Sequence, residues 1–219
     1  EKEGKILSLV KGRPDFMEGE VFYDDKGNNI RSLDIVRGES FMNYIGSLSM
    51  PYETYFKNML PDVLRHLAKS LEAIRFLHTN GFKHGDIRND HIFVENQTGN
   101  YVWIDFDYDF QSTENPFSLD VFGLGNVLSY AVGMGFHNYY MIKTDRYKYG
   151  DLADRVEPED FALLDPRRFI NLAKLYPIIP ESLNSILMFF STGAPVYYET
   201  VDEIIDDLNW FLDNFPYYQ

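Results

Sequence analysis

The segment between residues 51 and 106 limits the possible folds of this chain more than any other. Apolar residues recur at helical spacing from Pro51, which suits a first helical position, to Asn80, where the chain turns into a glycine. The polar stretch "HGDIRNDH" follows at residues 84–91. After it, "IFVENQTGNYVWIDF" predicts two strands joined by a turn. A long helix, a polar loop and a strand hairpin in this order indicate a mixed architecture.

The rest of the chain adds a little β structure and much helix. Residues 1–12 predict a helix that ends at Gly12, and "EVFYDDKGNNIRSLDIV" predicts a strand hairpin that "RGES" breaks. Further helical patterns cover 115–135, the region near 181–191 and 199–213, with loops and short helices over 145–179. The order predicts an α+β protein with a dominant helical lobe.

Composition excludes several classes of function. The 219 residues are 45% hydrophobic, which suffices for a sizeable core, and they include no cysteine, so disulfides, cysteine metal sites and a thiol nucleophile are excluded. The net charge of −14 would repel nucleic acid and anionic lipid, so we expect no nucleic-acid partner. No apolar run is long enough for a membrane span, and a reducing cytoplasm is the expected location.

Three polar residues are predicted to converge at one edge of the second hairpin. Asp86 follows the long helix, His91 begins the first strand, and Asp105 ends the second strand. Because antiparallel strands of hairpin length bring their outer ends together, we expect these side chains to meet. Two carboxylates can hold a metal ion and orient an attacking hydroxyl, which is what phosphoryl transfer needs, and Arg88 supplies a nearby cation.

The stretch "HGDIRNDHIFV" followed by "VWIDFD" resembles the catalytic loop and the metal-binding motif of the protein-kinase-like superfamily. The resemblance implies a phosphotransferase that uses ATP and Mg²⁺. It makes Asp86 the catalytic aspartate and Asp105 the main Mg²⁺ ligand. Arg88 stands where serine/threonine kinases carry a lysine that touches the transferred phosphate. His91 stands where the family has an asparagine that binds a second Mg²⁺, and an imidazole there is a softer ligand.

Flanking segments extend this resemblance over nearly the whole chain. "SLDIVRGESF" resembles the strand and hinge that hold adenine, which makes Leu33 the gatekeeper and gives the base-binding backbone to Asp34, Ile35 and Val36. Glu3 stands at the position that pairs with an ATP-contacting lysine. The implied organisation is a remnant of the small lobe at 1–38, with one helix, two strands and the hinge, and a large helical lobe at 39–219.

"FSLDVFGLGNVLSYAVG" resembles the helix whose aspartate, here Asp120, is buried and anchors the catalytic loop. Some features depart from the family pattern. No Gly-rich loop and no Val-Ala-x-Lys-like strand precede Glu3. The first three strands of the small lobe are therefore expected to be absent from this chain and present in the natural protein. The chain as given is expected to bind ATP weakly, and Glu3 is expected to be a solvated residue with no lysine partner. Gly85 replaces the arginine that reads a phosphorylated activation segment. Fourteen residues separate Asp105 from Asp120, without an A-P-E motif.

These observations leave several hypotheses open. The leading one is a kinase that transfers the γ-phosphate of ATP to a hydroxyl, with a protein serine or threonine as the favoured acceptor. The glycine before Asp86 and the short segment after Asp105 are common in aminoglycoside and choline kinase relatives, so a small-molecule hydroxyl is the alternative acceptor. His91 and the altered "DFD" motif also suit a kinase-like binding domain that no longer catalyses, and an acidic module that binds a basic partner is a further alternative.

Overall fold

The structure, a computed structural model, describes residues 2–106, 108, 110 and 114–215. Within these ranges it forms an α+β protein. The strands are β1 Gly19–Tyr23, β2 Asn29–Leu33, β3 Gly38–Ser40, β4 Ile92–Glu95 and β5 Tyr101–Trp103. The helices are α1 Lys2–Val10, α2 Phe41–Gly46, α3 Tyr52–Asn58, α4 Leu60–Thr79, α5 Ser118–Val132, α6 Tyr139–Thr144, α7 Arg146–Tyr149, α8 Glu181–Met188 and α9 Val201–Asp213.

The first predicted helix and the first predicted hairpin are confirmed. Helix α1 buries its apolar face, which includes Ile6, Leu7 and Val10, and the chain leaves the helix through Gly12 at φ +80°. Strands β1 and β2 pair antiparallel. Gly4 of α1 lies so close to the hairpin that a Cβ there would be 3.1 Å from a Val21 methyl group. The helix and the hairpin therefore pack as one unit.

The second hairpin is also confirmed, but it belongs to a larger sheet. Strands β3, β4 and β5 form an antiparallel sheet in that order. Strand β3 and helix α2 were not predicted, because three and six residues are too few to show a periodicity. Ser40 joins the two elements, since its hydroxyl oxygen accepts a hydrogen bond from Asn43 N at 3.2 Å and caps α2.

The prediction of one continuous helix from Pro51 to Asn80 is wrong in one respect. The chain forms two helices, α3 and α4, and the break falls at Met59, whose φ and ψ are −121° and −42°. Pro61 explains the break, because a proline ring has no N–H and collides with the carbonyl one turn earlier, so it is tolerated only in the first turn of a helix. Pro51 precedes α3 as its N-cap.

The core lies between α4, α5 and α9. Helix α5 is buried on nearly all sides, whereas α4 and α9 each bury one apolar face. Trp103 of β5 is fully buried and its indole N–H donates to the Ser70 carbonyl of α4 at 2.9 Å, which ties the sheet to the helical core. The loop at 84–91 emerges between these elements.

The helices predicted near 181–191 and over 199–213 are present as α8 and α9, and the apolar helix at 115–135 is α5. Among the described residues, no helix combines the length and the apolar character needed to cross a membrane. The division of the chain into residues 1–38 and 39–219 stays a prediction.

Candidate functional site

A buried carboxylate fixes the backbone of the polar loop at 84–91. Asp120, in the first turn of α5, is fully buried and accepts hydrogen bonds from the backbone N–H groups of His84 and Gly85, both at 2.8 Å. The ring Nε2 of His78 lies 2.9 Å from the same carboxylate. Burial alone would raise the pKa of Asp120, but the hydrogen bond from His78 and its other donors outweigh burial and lower that pKa.

His84 has a structural place in the loop. The side chain is completely buried, and burial lowers its pKa to about 3. Its Nδ1 accepts a hydrogen bond from Asp86 N at 3.3 Å, so the neutral ring orients the backbone at Asp86.

His91 lies between the two carboxylates that the sequence singles out. Its Nδ1 is 3.5 Å from Asp86 Oδ2 and its Nε2 is 3.5 Å from Asp105 Oδ2. The sheet register causes this, because Ile92 pairs with Trp103 and the His91 carbonyl accepts a hydrogen bond from Ile104 N at 3.0 Å. The predicted convergence of Asp86, His91 and Asp105 is therefore what the structure shows.

Asp105 has an unusual backbone conformation. Its φ is +60°, in the left-handed region that residues other than glycine rarely adopt, and its side chain is 60% exposed. The next residue, Phe106, is fully buried, with its ring centroid 6.1 Å from that of Phe16 and 6.0 Å from that of His84. The inward phenylalanine holds the backbone so that the carboxylate of Asp105 faces outward.

The donor set suits one divalent cation bound together with phosphate. Mg²⁺ binds through one or two carboxylates and keeps several waters or phosphate oxygens. His91 Nδ1 lies 2.9 Å from the Asp86 carbonyl oxygen, so a neutral ring that donates there keeps its Nε2 lone pair toward Asp105. Among the described residues, no group of three histidine or acidic side chains has the arrangement of a metal site. Asp107, the second aspartate of the "DFD" motif and a residue that the sequence suggests could assist a metal, lies outside the described residues.

Arg88 is engaged by a carboxylate of its own loop. Its Nε and Nη2 donate to Asp90 at 2.9 and 2.7 Å, and its side chain is 55% exposed. The structure therefore shows Arg88 in an ion pair with Asp90. Its contact with a phosphate stays a prediction.

The predicted hinge follows β2. Leu33 ends the strand, Asp34 N donates to the Glu18 carbonyl at 2.9 Å, and Ile35 is 87% exposed. Asp34, Ile35 and Val36 line a cavity of about 480 Å³ together with residues of the 12–18 loop and of the turn between β4 and β5. None of the three converging residues lines this cavity, and the adenine contacts of the hinge stay a prediction.

The expectation that Glu3 is a solvated residue is wrong. Glu3 is 5% exposed and forms an ion pair with Arg31 of β2. Arg31 is two positions before Leu33, and so the alternation of a strand places the two side chains on the same face. This alternation is the one signal in the sequence that points to Arg31. The sequence does not predict its pairing with Glu3, because α1 meets the hairpin only through tertiary packing.

His78 and Lys2 are the other residues around the loop that the sequence did not single out. His78 lies in the last turn of α4, where its spacing matches that of the apolar core positions, and Lys2 lies at the beginning of α1. Neither position has a motif, because each reaches the loop only through the packing of separate elements.

No protein-family model and no curated protein sequence matches the chain. Solved structures do match. Three mutant forms of the PknI kinase domain from Mycobacterium tuberculosis superpose with TM-scores of 0.62, 0.58 and 0.63 and share 14%, 15% and 14% of residues with this chain. The matches cover 95%, 94% and 96% of this chain and 75%, 74% and 76% of the neighbours. The chain therefore has a protein-kinase-like fold, with a mostly helical large lobe and a small β lobe.

Proposed function

We propose that this protein is a phosphotransferase that moves the γ-phosphate of ATP to a hydroxyl group. The observation that carries the proposal is the position of Asp86 and Asp105, whose carboxylates lie 3.5 Å from opposite nitrogens of one imidazole ring. A cleft edge with two carboxylates and an imidazole can orient a hydroxyl and retain a divalent cation beside a phosphate chain. The kinase-like fold supports the same reaction.

The proposed roles follow from what each side chain contacts. Asp86 accepts the proton of the attacking hydroxyl and orients its oxygen, because its carboxylate is part-exposed while its backbone is fixed by His84. Asp105 and His91 would hold Mg²⁺, which neutralises charge on the phosphates when it is bound. Arg88 would reach the transferred phosphate by exchanging its pairing with Asp90 for a charge-assisted bond to phosphate oxygen.

The nucleotide base is assigned to the predicted hinge, with Leu33 as the gatekeeper and with Asp34, Ile35 and Val36 providing backbone groups. Glu3 is assigned to the phosphate side of the cleft, where it positions a cation. In the described chain that cation is Arg31. We also propose that the protein acts in the cytoplasm, in line with its lack of cysteine.

The favoured acceptor is a protein serine or threonine, because the hinge, the first helix and the last helix resemble that branch of the superfamily. A small-molecule hydroxyl is the second candidate. It is favoured by the short connection between Asp105 and α5, where only residues 106–117 are available to form a platform for a peptide.

The test is transfer of radiolabelled phosphate from ATP by the full-length protein, with Mg²⁺ present, to mixed protein substrates and to a panel of sugars and aminoglycosides. We expect turnover by the wild type and a loss of about a hundredfold or more in Asp86→Asn, because the base that orients the hydroxyl is gone. Asp25→Asn, which changes an exposed aspartate in the β1–β2 turn, is the matched control and should keep full activity.

Absence of transfer by the wild type with every divalent metal and every acceptor class would instead support a kinase-like binding domain. Turnover that is equal in Asp86→Asn and in the wild type would refute the assignment of Asp86.

A further inference from the structure

Three separate segments meet at the side chain of Lys2. Its ammonium nitrogen, Nζ, donates to the carbonyl oxygen of His84 at 2.8 Å and to the carbonyl oxygen of Tyr108 at 2.6 Å. Lys2 belongs to α1, His84 to the loop that carries Asp86, and Tyr108 to the segment that follows Asp105. One side chain therefore links the first helix to the backbones on both sides of the site.

Gly85 has the conformation and the size that this junction needs. Its φ is +93°, and a Cβ at this position would lie 1.8 Å from the Tyr108 carbonyl oxygen and 2.9 Å from Lys2 Nζ. Any side chain at residue 85 would therefore displace the Tyr108 backbone and the ammonium group. The contact between Lys2 and the Tyr108 carbonyl therefore depends on the absence of a side chain at Gly85.

We propose that Lys2 is a positioning residue that ties α1 to the two segments that carry Asp86 and Asp105, and so fixes the distance between these carboxylates. Both acceptors given above are backbone carbonyls, so these two bonds require no phosphorylated side chain. The proposal rests on the proposed function for its catalytic meaning. The tie itself can be measured without any catalysis.

The first experiment measures hydrogen exchange in the full-length protein. In Lys2→Met we expect amides in residues 84–88 and 104–106 to exchange at least about fivefold faster than in the wild type, because charge-assisted hydrogen bonds have been removed. Lys2→Arg keeps the charge and the donors and should restore slow exchange. Lys5→Met, an exposed lysine of the same helix, is the control and should leave both segments unchanged.

A pair of glycine variants separates the tie from backbone strain. Gly85→Ala and Gly81→Ala both place a methyl group at a positive φ, but Gly81 has no atom within 4 Å of the added carbon. Gly85→Ala should speed exchange in residues 104–106, and Gly81→Ala should not. In the Lys2→Met background, Gly85→Ala should add less than it does alone, since the two changes break the same contact.

The second experiment measures phosphate transfer. We expect Lys2→Met to lower kcat by about tenfold to a hundredfold with a smaller change in KM for ATP, because the carboxylates are displaced relative to each other. Lys2→Arg should recover most of the lost turnover.

Unchanged hydrogen exchange in Lys2→Met would show that Lys2 does not hold the two segments together. Faster exchange with unchanged kcat would overturn its role in positioning. A wild type without turnover would refute the proposed function. The hydrogen-exchange measurements would still show whether Lys2 holds the two segments together.

Discussion

His91 is the residue that links the two carboxylates of the site. It touches the carboxylates of both Asp86 and Asp105, and its Nδ1 is committed to the Asp86 carbonyl oxygen at 2.9 Å. An imidazole that contacts two carboxylates can share a cation with them or pair with them directly. The metal roles of His91 and Asp105 stay a prediction, and an imidazole ligand there would favour transition metals over Mg²⁺.

The first prediction concerns Asp105 and the binding of nucleotide. In the wild type, ATP should raise the unfolding temperature more with Mg²⁺ than without it, since a ligand that binds the folded state stabilises it. Asp105→Asn should remove most of the Mg²⁺-dependent part, because a neutral amide is a weak ligand for this cation. Differential scanning fluorimetry of both proteins, with Asp25→Asn as the control, measures the effect. An equal Mg²⁺-dependent shift in Asp105→Asn would contradict it.

At the scale of elements, the loop that carries Asp86 depends on helix α5. The carboxylate of Asp120 enters the loop from the first turn of α5 and binds two of its backbone N–H groups, while His78 binds the same carboxylate from the end of α4. The two helices and the loop therefore share one buried charge, and a change in any of them displaces the site.

The second prediction is that Asp120→Asn destabilises the fold. We expect the free energy of unfolding to fall by about 2 to 4 kcal/mol. An asparagine amide has one acceptor oxygen where three donors converge, and its NH₂ group would face one of those N–H donors. Urea unfolding measures the change. Asp202→Asn, an exposed acidic position in the first turn of α9, should change stability by less than about 1 kcal/mol. Equal stability of Asp120→Asn and the wild type would contradict the anchoring role.

The sequence predicts elements better than contacts between elements. Periodicity predicts α1, α4, α5 and both hairpins, because each of these places its apolar residues at a regular spacing over many positions. It misses β3 and α2, which are too short to show a period, and it joins α3 to α4, because the apolar pattern continues across Met59 while only Pro61 indicates the break.

The same limit applies within the site. His91 and Asp105 are predictable because hairpin geometry brings the ends of adjacent strands together, and Asp86 lies in the loop that leads into the first of these strands. Lys2 and Arg31 are not, since each reaches its partner only after α1 has packed against the rest of the protein.

For the whole molecule, buried histidines make stability depend on pH. Burial lowers the pKa of His137 to about 4 from its ordinary value near 6.5, although the hydrogen bond to the Gly133 carbonyl works in the opposite direction. The neutral ring donates through Nε2 to Gly133 O at 2.9 Å and accepts at Nδ1 from the Tyr149 hydroxyl at 2.8 Å. Burial shifts the pKa of His84 in the same direction.

The third prediction follows from these shifts. Between pH 6.5 and about 4, the unfolded chain binds protons at these rings that the folded protein does not bind, so unfolding becomes easier as the pH falls. Each ring contributes a slope of at most about 1.4 kcal/mol per pH unit. Urea unfolding at pH 8.0, 7.5, 6.0 and 5.0 should show constant stability above pH 7 and declining stability below 6.5. A free energy of unfolding that stays constant down to pH 5 would contradict the burial of neutral histidines.

The central claim is that Asp105 and His91 hold a single divalent cation at the edge of a nucleotide cleft, with Asp86 facing it. The most direct measurement is a crystal structure of the full-length protein with ATP and Mn²⁺, in which anomalous scattering locates the metal. The account predicts a peak within about 2.5 Å of an Asp105 carboxylate oxygen, next to the phosphates and on the side that faces Asp86. A nucleotide-bound Mn²⁺ that lies elsewhere, with Asp105 making no contact to it, would contradict the account.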